Sequence, residues 1–97
     1  MAFVVAAIWK AKPGEEERIA RAIEVMTPLS RAEDKCLFYQ AHRTPDDPRT
    51  FFLYEQYVDE SGYEEHMASP HFQEHVREGA IPYLEDRERA FYHTMDL

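Results

Sequence analysis

The sequence predicts an α+β fold of the ferredoxin-like kind, a βαββαβ chain whose antiparallel sheet carries two helices on one face. Two observations lead there. The order strand, helix, strand occurs twice along 97 residues, and the first and third strands, which this topology places centrally, are apolar on both faces. One set of helices covers only one face of a sheet, so the second face calls for a partner, and the same sheet of another subunit is the simplest one.

Residues 3–9, FVVAAIW, form a short β-branched and aromatic run that ends before Pro13-Gly14, the pattern of a strand followed by a turn. Phe3, Val5, Ala7 and Trp9 alternate with Val4, Ala6 and Ile8. Glu15, Glu16 and Glu17 then stand where a helix N-terminus favours acids, and Ile19, Ala22, Ile23 and Met26 follow at helical spacing. Pro28 is expected to kink or restart this helix, with Thr27 as a cap.

CLFYQAH (36–42) reads as the second strand, and the Pro- and Asp-containing TPDDPR as a turn into the third, TFFLYEQYV (50–58). Phe51, Leu53 and Tyr57 share one face of it; Phe52, Tyr54 and Val58 share the other. Ser61 and Glu64 match a capping box that opens the second helix, which is expected to break at Ala68-Ser69 and resume at Pro70. Phe72 and Val76 share a face of its later part, and Gly79 ends it. Residues 80–89 form a long connection, a lid or a loop with a helical turn, and residues 90–97 the last strand. The whole chain, 1–97, is read as one domain.

Composition excludes several roles. With 11 Lys+Arg against 19 Asp+Glu the formal net charge is -8, and no run of basic residues is present, so neither nucleic acid nor an anionic membrane is an expected partner. The apolar N-terminal stretch is too short to span a bilayer. A single cysteine, Cys36, permits no internal disulfide and fits a cytoplasmic location. No glycine-rich nucleotide motif or cysteine cluster is present, and no cofactor is expected.

The chemistry centres on Glu55, an acid in a strand that should be buried, which must be paired or protonated. A buried ion pair or hydrogen bond would account for it, as would a ligand or proton-transfer role. His66 is the candidate base, because an imidazole can take a proton from a phenol or an enolisable carbon and return it; alternatively it caps the broken helix or bonds to Glu55. His71 and His75 are four apart, as two metal ligands on a helix would be, but no third ligand is apparent and no metal site is assigned. Trp9, Tyr39, Tyr57, Phe72 and Tyr83 are candidates to line an aromatic pocket, or are core.

Arg31-Ala32-Glu33-Asp34 leading to Cys36 and Tyr39, then Leu53-Tyr54-Glu55-Gln56-Tyr57, then His66 and Ser69-Pro70-His71-Phe72, together resemble the antibiotic biosynthesis monooxygenase (ABM) domain over nearly the whole chain. The resemblance implies a dimeric α+β barrel. It also implies a cavity between helices and sheet bordered by His66, and the residues are accordingly read with His66 and Glu55 as catalytic candidates and Trp9, Tyr39, Tyr57, His71, Phe72 and Tyr83 as substrate-binding candidates. The family includes cofactor-independent monooxygenases of aromatic polyketides and quinols, haem-degrading oxygenases and a quorum-signal isomerase. Lys35 stands where glycine is usual. The haem-degrading branch has an asparagine on strand 1, where this chain has Ala6 and Ala7, and a tryptophan where His66 stands. The implied activity is monooxygenation of a small phenol or quinol by dioxygen. An acid–base isomerase of a small carbonyl metabolite and a non-catalytic dimeric module for a hydrophobic small molecule are the alternatives.

Overall fold

A computed structural model describes residues 1–96. Strand β1 (Phe3–Ala11) leads through a turn at Gly14, whose φ of 86° suits a residue without Cβ, into helix α1 (Glu16–Arg31). Ile19, Ile23, Met26 and Ser30 form the buried stripe of α1. The helix runs through Pro28 without restarting. Pro28 lies in its last turn, where only one intrahelical N–H is forfeited, and Thr27 bonds back to the Ile23 carbonyl at 2.8 Å instead of capping a new helix.

Strands β2 (Cys36–Arg43) and β3 (Thr50–Tyr57) follow. Their connection is pinned by Asp47, which accepts from the Arg49 N–H at 3.0 Å and the Thr50 hydroxyl at 2.7 Å. Helix α2 (Glu60–Ala68) is capped by Asp59, whose carboxylate accepts from the Ser61 N–H at 3.0 Å; the cap therefore lies two residues before the expected Ser61. The expected break is present at Ser69, which has extended backbone. Its hydroxyl donates to the His66 carbonyl at 2.7 Å and accepts from the Phe72 N–H at 3.1 Å. Beyond it, α3 (Pro70–Phe72) continues as a π-helical segment, Gln73–Glu78, and Phe72 and Val76 are both buried.

Strand β4 spans Leu84–His93 after a 3₁₀ turn at Ile81–Tyr83. It begins six residues before the expected 90, so residues 84–89 belong to the sheet and are not a lid; the expected strand's last residue, 97, lies outside the described residues. The charged run LEDRER hides this strand, because its pairing to β1 is made by backbone groups and not by an apolar face.

The antiparallel sheet has the order β2-β3-β1-β4, with the first and third strands central as expected. On its helix-covered face Val5, Ala7 and Trp9 pack beside Phe51, Leu53, Glu55 and Tyr57, all buried. On the other face Ile8 is 43%, Phe38 47% and Tyr92 58% exposed, so no element among the described residues covers it. Lys35 adopts no left-handed conformation, since among the described residues only Gly14 has positive φ, and its ammonium bonds to Ser61 at 3.0 Å and Glu65 at 2.5 Å.

Candidate active site

Position 55 falls on the helix-facing side of β3 because its side chain alternates in step with Phe51, Leu53 and Tyr57, and Glu55 is thereby only 5% exposed. The Tyr57 hydroxyl, two residues on and on the same face, donates to Glu55 Oε1 at 2.6 Å. Burial pushes the Glu55 carboxyl above its ordinary range, although His66 and the Tyr57 hydroxyl pull the other way. Tyr57 and Tyr39 are pushed far above the usual phenol range, by burial and then by the Glu55 carboxylate, so both stay protonated.

His66, in the last turn of α2, is 2% exposed. Its Nδ1 lies 2.9 Å from Oε2 and 3.1 Å from Oε1 of Glu33, in the connection between α1 and β2. His71 Nε2 reaches the same Glu33 Oε2 at 2.6 Å. Burial alone would raise the Glu33 carboxyl, but the bonds from His66 and His71 outweigh it and hold the group below the usual carboxylate range. An ionised Glu33 takes protons only from N–H donors, which assigns the His66 proton to Nδ1 and leaves the Nε2 lone pair free. Nε2 stands 3.8 Å from Glu55 Oε1, beyond hydrogen-bond reach, so the Glu55–His66 bond considered from the sequence is not made. The partner that orients the ring is Glu33.

A cavity of about 10 Å³ lies beside this pair, lined by Trp9, Tyr39, Glu55, His66, Phe72 and Arg87 among others. It is small and charged on one side, not an open apolar chamber. Four of its residues, Trp9, Tyr39, Phe72 and Arg87, come from three strands and the resumed helix. Tyr57 stands one bond away, through Glu55. His71 sits behind His66 on Glu33. Tyr83 is elsewhere, its ring stacked under the Arg18 guanidinium at 4.3 Å. His75 pairs with Glu74 at 3.1 Å.

Sequence reasoning overlooked four side chains here. Glu33 was visible only as part of a motif. Arg87 and Arg89 were assigned to a loop, although β4 sets them opposite Trp9 and Ala7. Tyr63, one turn before His66, stacks on the imidazole with centroids 6.2 Å apart and carries its hydroxyl to Arg89 at 3.0 Å.

Glu33, His66 and His71 offer ligand atoms within 4.8 Å of one another, the mixed imidazole–carboxylate donor set that transition metals accept. In this arrangement the same atoms are joined directly by two N–H···O bonds, and an ion would have to displace both protons. Cys36 is half-buried, and burial followed by the Glu33 charge pushes its thiol up to about 11, so it is not a thiolate nucleophile.

A split βαβ domain with an acid–imidazole–acid cluster between its sheet and broken helix is the class of protein that fold and site define. The family model described as antibiotic biosynthesis monooxygenase matches residues 1–78, and the chain belongs to that family. No curated protein matches it. Among solved structures, PA3566 from Pseudomonas aeruginosa is 26% identical with a TM-score of 0.90 over 97% of this chain and 94% of that one. SO0527 from Shewanella oneidensis is also 26% identical, with a TM-score of 0.89 over 96% and 90%. A structure described as an antibiotic biosynthesis monooxygenase shares the fold at 22% identity, with a TM-score of 0.87 over 98% and 99%. No helix among the described residues is long and apolar enough to cross a membrane.

Proposed function

We propose that the protein is a cofactor-independent monooxygenase of a small phenol or quinol, with His66 as its base. The observation that carries this reading is the 2.9 Å approach of His66 Nδ1 to the Glu33 carboxylate: an ionised Glu33 calls for a proton on Nδ1, which makes Nε2 the acceptor beside the cavity when the ring is neutral. A base so placed removes the substrate hydroxyl proton, and the imidazolium that forms is balanced by the ionised Glu33. The electron-rich phenolate transfers an electron to dioxygen, and the two radicals combine at a ring carbon as a hydroperoxide. Loss of the ring proton and cleavage of the O–O bond release water and leave a quinone, so that one phenol and one dioxygen give one quinone and one water.

Glu55 supports the cycle from the other side. Its raised affinity for a proton lets it hand one to the departing oxygen, and its neutral form adds no charge against the phenolate. Membership of the ABM family agrees with this chemistry. The test is oxygen uptake and product mass with a panel of naphthols and hydroquinones, with and without added metal ions or chelator. His66→Ala should lower turnover by roughly 100- to 10,000-fold per folded protein, the usual loss for a general base. Conversion without oxygen uptake would instead make the same residues an isomerase, and binding without conversion would make the domain a carrier.

A further inference from the structure

We propose that Trp9 and Arg87 form a subsite for one anionic oxygen of the ligand, in the cavity bordered by His66 and Glu55, with the ligand's planar body lying in the aromatic groove beyond Arg89. This deepens the reading above and rests on it for the location of the reacting atoms. The β1–β4 register sets Trp9 opposite Arg87, and both line the cavity. Trp9 is 5% exposed, and its Nε1 donor and the Arg87 Nε donor are two of four buried side-chain polar atoms that find no partner among the described residues. Buried donors without an acceptor are uncommon, and two of them on one cavity call for an acceptor between them.

Charge narrows the acceptor to an anion. In a chain of formal net charge -8, Arg77, Arg87 and Arg89 lie close enough that the other two hold the Arg87 guanidinium below its usual range, after burial, which does so most. Glu55, the carboxyl on the same wall, is pushed toward its neutral form by burial. A wall with surplus positive charge and two free N–H groups suits an ionised hydroxyl.

Size places the rest of the ligand. A cavity of about 10 Å³ has room for little more than one oxygen atom. Next to it a groove of about 250 Å³ is lined by Phe3, Tyr63, Met67, Arg89 and Phe91 together with two carboxylates, Glu60 and Glu64, so that it suits the neutral part of a ligand and leaves the anionic oxygen to the inner cavity. Tyr63 and Arg89 belong to both linings, and the 3.0 Å bond between them is the partition. An aromatic ring laid in the groove rests against Tyr63 and Phe91, whose own rings touch with centroids 5.7 Å apart, and its ionised oxygen reaches inward once the Tyr63–Arg89 bond parts.

The single tryptophan provides a direct probe, since the protein has one indole N–H resonance. The protein is titrated without oxygen, by ¹H–¹⁵N correlation spectra, with 2-hydroxy-1,4-naphthoquinone, an anion at neutral pH, and with its neutral methyl ether. The anion should move the Trp9 indole resonance downfield with saturation and bind at least about tenfold more tightly than the ether, as befits a charge-assisted hydrogen bond. Arg87→Met should erase that preference while leaving the ether's affinity unchanged, which also shows the fold to be intact. Trp9→Phe, which keeps an aromatic ring and removes the donor, should weaken the anion by a smaller factor. Equal affinity for anion and ether, or an indole resonance that stays in place at saturation, would overturn the proposal and leave the cavity as a site for water. Because turnover plays no part, absence of oxygen uptake would count against the monooxygenase reading alone.

Discussion

His66 Nδ1 lies 2.9 Å from Glu33 Oε2, while Nε2 of the same ring stands 3.8 Å from Glu55 Oε1. One imidazole thus separates two carboxyls whose environments drive their proton affinities apart. Two N–H donors keep Glu33 ionised, whereas burial favours the proton on Glu55. Such a division between acid and base roles is the pattern expected where protons move in both directions.

Glu33→Gln tests the orienting bond. Both histidines reach Oε2, so an amide oxygen there could still accept from each, but only as a neutral acceptor, with the NH₂ facing His66 Nδ1 where Oε1 stood; the charge assistance of these bonds is lost, about 1–1.5 kcal/mol. Urea titrations should show that loss at neutral pH. Glu33 has a folded affinity for protons below its unfolded value near 4.5, so its contribution is present above that pH and is lost as pH falls through the lowered folded value. Wild type and variant should therefore converge only in acid. Equal midpoints at pH 7 would show that Glu33 contributes nothing to the fold.

Glu55→Gln should behave in the opposite sense. The folded Glu55 binds its proton more tightly than the unfolded chain does, so wild-type stability falls as pH rises from about the unfolded value of 4.5 through the raised folded value. Glutamine mimics the protonated acid and still accepts from the Tyr57 hydroxyl. The variant should melt higher than wild type at pH 8, with the gap closing toward pH 4.5, and its activity should fall less than that of His66→Ala while its pH optimum moves. A variant less stable than wild type at pH 8 would show that the carboxylate is a paired, stabilising charge.

The fold was legible where side chains declare it. Apolar alternation located β1 and β3, and Ser69-Pro70 located the helix break. It was illegible where backbone alone decides: LEDRER carries no apolar face, so β4 was cut short, and Arg87 and Arg89 were lost with it. The site was legible at Glu55 and His66 because a buried acid and imidazole are improbable without a use. Glu33 was hidden because its role depends on a connection folding back over 33 residues of chain to reach His66. Tyr83 looked equivalent to Tyr39 in sequence, and only the fold tells them apart, since Tyr39 lies on β2 and Tyr83 in the 3₁₀ turn before β4.

The uncovered sheet face predicts self-association. Ala6 lies at its centre, between Tyr54 of β3 and Ala90 of β4, with exposed Ile8, Phe38 and Tyr92 on the same face. Sedimentation should give a dimer at micromolar concentration. Glu88 of β4 shares this face with Ala6, so Ala6→Glu is the decisive variant: in a face-to-face dimer it would bury a carboxylate close to a like charge, at a cost of several kcal/mol. Dissociation of the variant, or concentration-dependent loss of its melting temperature, is expected. A wild-type protein that sediments as a monomer would remove this interface.

Gly62 connects packing to chemistry most directly. It lies one turn before His66 on α2, and a Cβ placed there would come within 2.9 Å of the Cβ atoms of both Lys35 and Tyr57. Neither neighbour can yield freely, because a Cβ is fixed to its backbone and Tyr57 is buried on a central strand. Gly62→Ala gains about 1 kcal/mol of helix propensity, yet overpacking costs about 1–3 kcal/mol, and the helix can relieve the contact only by moving away from the sheet. That motion carries His66 with it, stretching the bond to Glu33 and displacing Nε2 from the cavity. A displacement near 1 Å costs about 100-fold in rate when a reaction depends on placement. Turnover per folded Gly62→Ala protein should accordingly fall far more than its modest loss in urea midpoint would suggest, with weaker protection of the His66 Nδ1 proton in NMR exchange. Full turnover in a destabilised variant would show that the position of α2 does not set the position of the base.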